Sequence, residues 1–169
     1  MNILGISGSA SENSSNYYLL KAIASFLKEK HNMEVFQGLY DFDLFSPKSL
    51  VKGIPANISD LKQEIVKADF IILSTPEYAH NIPAVLKNLM EWCTHSGEFS
   101  EKLVLPITFT PNPPRGANAM HSLIPTLTTL NAKVVASLSL YRTDMLIKNH
   151  QIELNAEVKE MLLAILDMF

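Results

Sequence analysis

The sequence predicts an α/β fold: a doubly wound parallel sheet of five strands with helices on both faces. Two observations lead to this class. Short apolar segments alternate with longer segments whose apolar residues recur at helical spacing, as expected where each parallel strand needs a crossover helix. The 169 residues, 47% hydrophobic and 18% charged, also suffice for one core. We therefore expect residues 1–169 to form a single domain.

The predicted strands are short apolar runs. The first ends at a serine-rich turn, the second alternates apolar and polar residues, and the third is apolar at almost every position, which is typical of a strand buried on both faces. In chain order they cover residues 2–6, 33–37, 69–74, 102–109 and 133–140.

The predicted helices carry apolar residues three and four positions apart. Asn57 or Ser59 is expected to cap the second helix, and Pro83 falls in the first turn of the third, where a missing N–H costs nothing. Residues 38–55 show no sustained period and predict a long loop. The first, third and fourth predicted helices cover residues 15–30, 82–95 and 117–131, and a closing helix includes Val158 and Ile165.

Composition excludes several classes of protein. A net charge of −3 with scattered lysines gives no basic field for nucleic acid. No apolar run reaches the roughly 18 residues of a membrane span, and the N-terminus lacks a signal peptide's basic flank, so we expect a soluble, cytoplasmic protein. The single cysteine, Cys93, permits no internal disulfide and is expected to be a buried structural thiol. No residues show metal-ligand spacing.

Ligands of doubly wound sheets bind outside the carboxyl ends of the strands, where the strand order reverses. This rule selects three segments, which we call the first loop (residues 7–16), the second loop (residues 74–81) and the third loop (residues 110–116). We expect any ligand to lie among them.

The first loop leads from a strand into a helix and is rich in short polar side chains. Unpaired amides at a helix N-terminus bind a phosphate without lysine or arginine, and five side chains can add donors: Ser9, Ser11, Ser14, Ser15 and Asn16. The alternative is an ordinary N-capped turn, which needs one such residue. The loop matches neither the P-loop nor the G-x-G-x-x-G pattern.

The second loop leaves the most buried strand and is stiffened by prolines. Its backbone amides, aromatic ring and polar groups suit a flat heterocycle. Taken alone, Tyr78 could equally be a half-buried packing residue, and His80 a solvated loop histidine. The candidate ligand-binding residues here are Pro76, Glu77, Tyr78, Ala79, His80 and Asn81.

These two loops resemble the NADPH-dependent FMN reductase family, which includes quinone, azo and chromate reductases. The resemblance covers roughly residues 1–140. It is carried by Gly8-Ser9 with Ser14 and Asn16, by Thr75-Pro76-Glu77-Tyr78, by the run from Ile82 to Asn88, and by Glu91-Trp92.

The resemblance implies a flavodoxin-like fold that binds FMN and uses NADPH or NADH to reduce a small acceptor: a quinone, a flavin, an azo compound or a metal oxyanion. The flavin carries the redox chemistry, so no catalytic side chain is named. By position, it assigns phosphate contacts to Ser9, Ser14 and Asn16, and ring or ribityl contacts to Pro76, Glu77 and Tyr78. Two alternatives share the fold: an electron carrier, and a flavin-binding regulatory module without turnover.

The chain departs from the family pattern at three places. Ser11 stands where many members have arginine, which removes a cation from the phosphate site, and Ala79 stands where asparagine is usual. The third loop is rich in proline rather than glycine, and its candidate contacts are Asn112 and Arg115. Arg115, the only cation in the three loops, is expected to face the 2′-phosphate of NADPH or the reduced flavin, unless it is a solvated surface arginine.

The third predicted helix carries more apolar side chains than one face of a sheet needs. We expect Leu86, Leu89, Met90 and Trp92 to contribute to a two-fold interface near the flavin, so that the chain forms a homodimer or homotetramer.

Overall fold

The computed structural model describes residues 1–169. Its strands are β1 (Asn2–Ser7), β2 (Asn32–Phe36), β3 (Phe70–Thr75), β4 (Leu103–Thr110), β5 (Lys133–Val134), β6 (Leu138–Tyr141), β7 (Leu146–Lys148) and β8 (Gln151–Glu153). Its α-helices are α1 (Ser15–Leu27), α2 (Pro47–Lys52), α3 (Ala56–Lys67), α4 (Ala84–Cys93), α5 (Ala117–Thr129) and α6 (Ala156–Leu166). Short 3-10 helices cover Leu39–Asp41 and Arg142–Asp144.

The main sheet is parallel throughout and confirms the predicted fold class. The strand order is β2-β1-β3-β4, with β5 and β6 both beside β4. The order reverses between β1 and β3, as in flavodoxin-like folds. The carboxyl ends of β1, β3, β4 and β6 therefore lie along one edge of the sheet, which we call the carboxyl edge.

Helices cover both faces of this sheet. In β3, Phe70 and Ile72 pack in the apolar cluster that contains α1 and α6. Ile71 and Leu73 point to the other face, where α3, α4 and α5 lie. Every residue of β3 is buried, which explains the continuous apolar run in its sequence.

The fifth predicted strand is interrupted. Val104 pairs with Val134 and Ile107 pairs with Leu138, so β4 advances by three residues where its neighbour advances by four. Pro106, which has no N–H to donate to the ladder, lies opposite the extra residue. The prediction of one continuous strand over residues 133–140 is therefore wrong.

The prediction of an unbroken loop over residues 38–55 is also wrong. Ser46 caps α2 by accepting a hydrogen bond from the Ser49 amide at 3.1 Å, and Pro47 occupies the first helical position. Serine before proline is a helix-start signal, but the helix has only six residues and buries none, so no apolar period marks it.

Helix starts differ from the prediction at two further places. Helix α3 begins directly after Pro55, so Asn57 and Ser59 lie inside it rather than capping it. Pro83 precedes the first residue of α4 instead of occupying its first turn. In both cases a proline restricts the backbone and begins the helix without a side-chain cap.

An antiparallel hairpin formed by β7 and β8 follows β6 and was not predicted. Its two turn residues, Asn149 and His150, have φ values of 46° and 64°, the left-handed conformations that two-residue hairpin turns require. The His150 ring stacks on Tyr18 of α1, with centroids 4.8 Å apart. The hairpin thus lies beside the start of α1.

The apolar side chains of α4 are all used within the chain. Leu86, Leu89, Met90 and Trp92 are each at most 1% exposed, so the expectation that they form a surplus apolar surface is wrong. The indole of Trp92 also donates to the Asp43 carbonyl at 2.8 Å, because the segment after β2 covers this helix.

Cys93 is buried, as expected of a structural thiol. Burial raises the pKa of its thiol far above the ordinary value, and the nearby Glu98 carboxylate adds to this rise. None of the helices has both the length and the apolar character needed to cross a membrane. The chain contains no group of three or more His, Cys, Asp or Glu residues able to hold a metal ion.

Candidate functional site

The first and second loops are packed together at the carboxyl edge. The Gly8 amide donates to the Ser74 carbonyl at 2.8 Å. A Cβ atom at Gly8 would lie only 2.8 Å from Cδ2 of Leu86 and 3.3 Å from Thr75. Only glycine therefore allows the first loop to approach the end of β3 and the start of α4 so closely.

Two serines of the first loop hold its backbone. Ser14 is the N-cap of α1 and accepts from the Tyr17 amide at 3.1 Å, while Ser9 accepts from the Ser11 amide at 3.2 Å. Both serines are buried. The N-cap alternative for this loop is thus correct for Ser14, whose hydroxyl also lies 3.3 Å from that of Ser7, where either hydroxyl can donate.

The Asn16 side chain is held by hydrogen bonds within the chain. Its Oδ1 accepts from the Ser74 hydroxyl at 2.8 Å, and its Nδ2 donates to the Phe109 carbonyl at 3.3 Å. The carboxamide is buried beneath the loop and joins α1 to β3 and β4. These two hydrogen bonds position the loop, and the phosphate contact assigned to Asn16 stays a prediction.

Two serine hydroxyls of the first loop have no partner in the chain, whereas the Asn13 side chain accepts from the Tyr18 hydroxyl at 3.0 Å. The hydroxyls of Ser11 and Ser15 make no hydrogen bond to protein atoms, and Ser11 is exposed. Backbone amides also remain free, namely those of Ala10, Asn13, Ser15 and Asn16. The loop contains one anionic residue, Glu12, and no lysine or arginine.

The second loop contains a tight turn closed on itself. The Tyr78 amide donates to the Asn81 carbonyl and the Asn81 amide to the Tyr78 carbonyl, both at 2.9 Å. Ala79 and His80 occupy the two central positions with φ values of 49° and 58°, which costs energy in residues other than glycine. The Asn81 side chain folds back to accept from the Ile82 amide.

This turn presents Tyr78 at the carboxyl edge. The residue is 49% exposed and its ring stacks on no other aromatic ring of the chain. The residue is thus half-buried, as the packing alternative expects, and the exposed half is accessible to a ligand. Pro76 lies beside it at intermediate burial, and Ala79 is exposed.

Glu77 holds the second and third loops together. Its Oε2 accepts from the amides of Gly116 and Ala119 at 3.1 and 3.0 Å, and its side chain is 9% exposed. Helix α5 begins after a glycine, so it lacks a side-chain cap of its own, and its first amides need an external acceptor. The carboxylate therefore caps α5 through Oε2, and the ring or ribityl contact assigned to Glu77 stays a prediction.

His80 is tied to the same helix. Its Nδ1 lies 3.1 Å from Nδ2 of Asn118 and 3.6 Å from Oε1 of Glu77. The side chain is 85% exposed, so the interpretation as a solvated histidine is correct for the rest of the ring. The imidazole thus links the second loop to the start of α5.

The third loop is fixed through its backbone. Gly116 has a φ of 101°, and a Cβ there would lie 2.8 Å from Oγ1 of Thr108. The Thr110 hydroxyl donates to the Arg115 carbonyl at 2.8 Å, and the Arg115 amide donates to the Asn112 carbonyl at 3.1 Å. The side chains of Asn112 and Arg115 are exposed and pair with no other residue.

Sequence reasoning missed several residues that shape this edge. Gly116 and Thr110 hold the third loop, Asn118 orients His80, and Arg142 directly follows β6. The glycine before a helical segment was a usable signal. The other contacts join residues far apart in sequence, and no local pattern marks them.

The donors at the carboxyl edge fit a phosphorylated flavin. Free amides and serine hydroxyls at the start of α1 suit a phosphate monoester. The exposed Tyr78 and the backbone of the second loop suit a flat ring beside it. The site is open, because residues 111–115 and 78–81 are all exposed.

Comparison with known proteins decides the family. The sequence model described as NADPH-dependent FMN reductase matches residues 1–143. The chain belongs to this family. The family resemblance and the fold expected from the two loops are thereby confirmed.

Two relatives show how far the similarity extends. The chain is 34% identical over 106 residues to the NADH:(hydroxy)cinnamate reductase subunit CrdA of Vibrio ruber, covering 62% of this chain and 52% of that protein. It is 31% identical over 99 residues to quinone reductase of Escherichia coli K12, covering 57% of this chain and 50% of that protein. The chain thus spans about half the length of these relatives.

Solved structures share the fold over nearly the whole chain. FerB, a flavoenzyme NAD(P)H:(acceptor) oxidoreductase from Paracoccus denitrificans, has a TM-score of 0.77 at 17% identity, covering 99% of this chain and 93% of that one. The apo form of the NADH:FMN oxidoreductase EMOB has a TM-score of 0.73 at 21% identity, covering 99% and 87%. At such identities the likeness establishes the fold alone.

Proposed function

We propose that residues 1–169 form a single FMN-binding domain that reduces a small acceptor with NADPH or NADH. The observation that carries this proposal is the set of unpaired donors in the first loop: free amides and the hydroxyls of Ser11 and Ser15 at the start of α1. Such donors are arranged for an anion that the chain itself does not supply. Membership of the FMN reductase family makes the FMN phosphate the anion of choice.

The residues have distinct roles in this proposal. Phosphate contacts fall to the free amides and to Ser11, Ser14 and Ser15, while Ser9 and Asn16 position the loop. The ring lies against Pro76 and the turn of Tyr78, Ala79, His80 and Asn81, with Asn112 and Arg115 across from them. When bound, FMN supplies the two-electron chemistry. The protein supplies orientation, and we assign no catalytic side chain.

The acceptor that we propose is a quinone, a flavin, an azo compound or a metal oxyanion. The open edge supports this choice, because it leaves room for a planar acceptor or a nicotinamide beside Tyr78. Relatives named quinone reductase and (hydroxy)cinnamate reductase subunit support a planar conjugated acceptor in particular.

For location and assembly we propose a cytoplasmic homodimer or homotetramer. Reduced nicotinamide cofactors are found inside cells, and the lone buried cysteine is compatible with a reducing compartment. Since the apolar face of α4 is buried, the interface is better sought in the segment after β2, where Leu44 is 78% and Val51 89% exposed. Sedimentation at micromolar concentration tests this: a monomer with flavin bound contradicts it.

Titration of the apo-protein with FMN and with riboflavin tests the main proposal. The two ligands differ only in the phosphate, so we expect clearly tighter binding of FMN. Equal affinities would contradict the phosphate assignment. Steady-state oxidation of NADPH or NADH by the FMN-loaded protein then separates a reductase from a flavin-binding module without turnover.

A further inference from the structure

The chain contains only two arginines, and both lie at the carboxyl edge. Arg115 is in the third loop, and Arg142 begins the 3-10 helix after β6. Neither guanidinium forms an ion pair or a hydrogen bond within the chain, although each carries five donors. Arginine is well suited to phosphate because its planar fork binds two oxygens at once.

The fold brings Arg142 to the start of α1. Residue 141, which precedes it, pairs with Thr110 at the end of β4. One residue earlier in β4, the Phe109 carbonyl accepts from Asn16 in the first turn of α1. Arg142 is therefore placed beside the helix whose N-terminus carries the free amides.

A concavity connects this arginine with the first loop. Asn13 and Ser15 line it together with Arg142, Ile147 and His150. The hairpin of β7 and β8 contributes to its wall, and His150 of the hairpin stacks on Tyr18 of α1. Ser15 thus belongs both to the first loop and to the concavity that Arg142 lines.

Arg115 lies on the other side of the sheet. It precedes α5, which packs in the apolar cluster of α3 and α4, whereas α1 packs with α6 and with Met145 from the segment after Arg142. The two arginines are thus separated by the end of β4. Arg142 shares a concavity with Ser15 and Tyr18 of α1.

The charge of a phosphate monoester exceeds the positive charge that the first loop supplies. A phosphate monoester carries a charge of about −1.5 to −2 near neutral pH, and the start of a helix contributes only about half a positive charge. The first loop adds Glu12 and no cation. The site as formed by the first loop alone would leave most of the phosphate charge uncompensated. Arg142 is the only lysine or arginine that lines the concavity beside Asn13 and Ser15.

We propose that Arg142 supplies the cationic contact to the phosphate monoester bound at the start of α1. The inference rests on the proposed function, which makes this group the phosphate of FMN. The hairpin, which lies beyond residue 143 where the family match ends, forms the wall that keeps the arginine beside the loop. The 2′-phosphate of NADPH has the same chemistry and is a separate outcome of the test.

The test compares apo-protein variants by flavin titration. We expect Arg142→Gln to weaken FMN binding by about tenfold or more, the scale of losing a hydrogen-bonded charge, while riboflavin affinity stays unchanged. The FMN affinity of Arg142→Lys should lie between those of the unaltered protein and of Arg142→Gln, because lysine keeps the charge but lacks the planar fork of arginine. Lys148→Gln, which removes an exposed cation of the hairpin that does not line the concavity, is the matched control and should leave the ratio of FMN to riboflavin affinity unaltered.

The outcomes separate the two proposals. If the unaltered protein prefers FMN and Arg142→Gln keeps that preference in full, the role of Arg142 is overturned and the proposed function stands. If Arg142→Gln instead raises KM for NADPH but not for NADH, with FMN affinity unchanged, the arginine serves the nicotinamide cofactor and our assignment is again overturned. If the unaltered protein shows no preference for FMN, both proposals fail.

Discussion

The first and second loops lie side by side, yet they differ in how far their polar side chains are paired within the chain. In the second loop, Glu77 and Asn81 bind amides of the protein, and His80 lies against Asn118. In the first loop, Ser11 and Ser15 have hydroxyls with no partner in the chain. Both segments looked equally polar in the sequence.

This difference teaches that polarity alone does not identify a ligand contact. Polar groups that are already paired stabilise the fold, and their removal should lower stability. Polar groups left unpaired at a helix start stabilise nothing until an anion arrives, and their removal should lower affinity instead. Variants of the two loops should therefore fail in different measurements.

The largest effect is expected for Glu77→Ala. This change removes a buried carboxylate from two amides at the start of α5, so the free energy of unfolding should fall by about 2 to 3 kcal/mol. Glu91→Ala, which breaks an exposed pair with Lys87 on α4, should cost less than about 0.5 kcal/mol. Urea denaturation of both variants measures the two losses in the free energy of unfolding. Similar midpoints would show that Glu77 is not a cap.

The double variant Ser11→Ala/Ser15→Ala should behave in the opposite way. Since neither hydroxyl has a partner in the chain, the free energy of unfolding should change by less than about 0.5 kcal/mol. FMN affinity should fall by about tenfold, as expected for lost hydrogen bonds to a charged group. Ser25→Ala, on the exposed face of α1, is the control. A loss of stability with unchanged FMN affinity would show that these two hydroxyls stabilise the fold rather than bind the ligand.

Ser14→Ala should lower both the free energy of unfolding and the affinity for FMN, because Ser14 caps α1 and also lies in the first loop. We expect a stability loss of about 1 kcal/mol together with weaker FMN binding. Asn155→Ala removes the cap of α6, where the side chain accepts from the Val158 amide. It should cost similar stability without changing FMN affinity. If Ser14→Ala also spares affinity, the serine is a cap alone.

The smallest effect is expected for Ala79→Gly, and it is a gain. Ala79 has a φ of 49°, a conformation that costs a residue other than glycine about 1 to 2 kcal/mol. After the entropic cost of glycine, a net stabilisation of about 0.5 to 1 kcal/mol remains. Ala10→Gly, at an exposed position with ordinary φ, should instead destabilise. Thermal unfolding of both variants measures the difference, and equal shifts would mean that the turn is unstrained.

The sequence predicted the fold well because its signals are local. Apolar periodicity located the four strands before residue 133, and the reversal of strand order located the three loops. The hairpin was missed because its strands have three residues each, too few for a period. The extra residue opposite Pro106 was missed because pairing is a property of two strands at once.

The sequence predicted where the candidate site lies, but not which of its polar groups are already paired within the protein. The resemblance selected Glu77 and Asn16 as ligand contacts, but their partners lie about 40 and 58 to 93 positions away in the chain. No local pattern shows that these groups are already paired. Arg142 was missed for the same reason, since only the pairing of β4 with β6 brings it to α1.

The interruption between β5 and β6 also affects how the protein meets its neighbours. These segments form one outer border of the sheet, with two residues in β5 and four in β6. A long, flat border strand offers a continuous row of free N–H and C=O groups to which another chain can add a strand, and this begins aggregation. The extra residue divides that row and displaces its halves. The border that ends beside Arg142 is therefore a poor template for intermolecular strand addition.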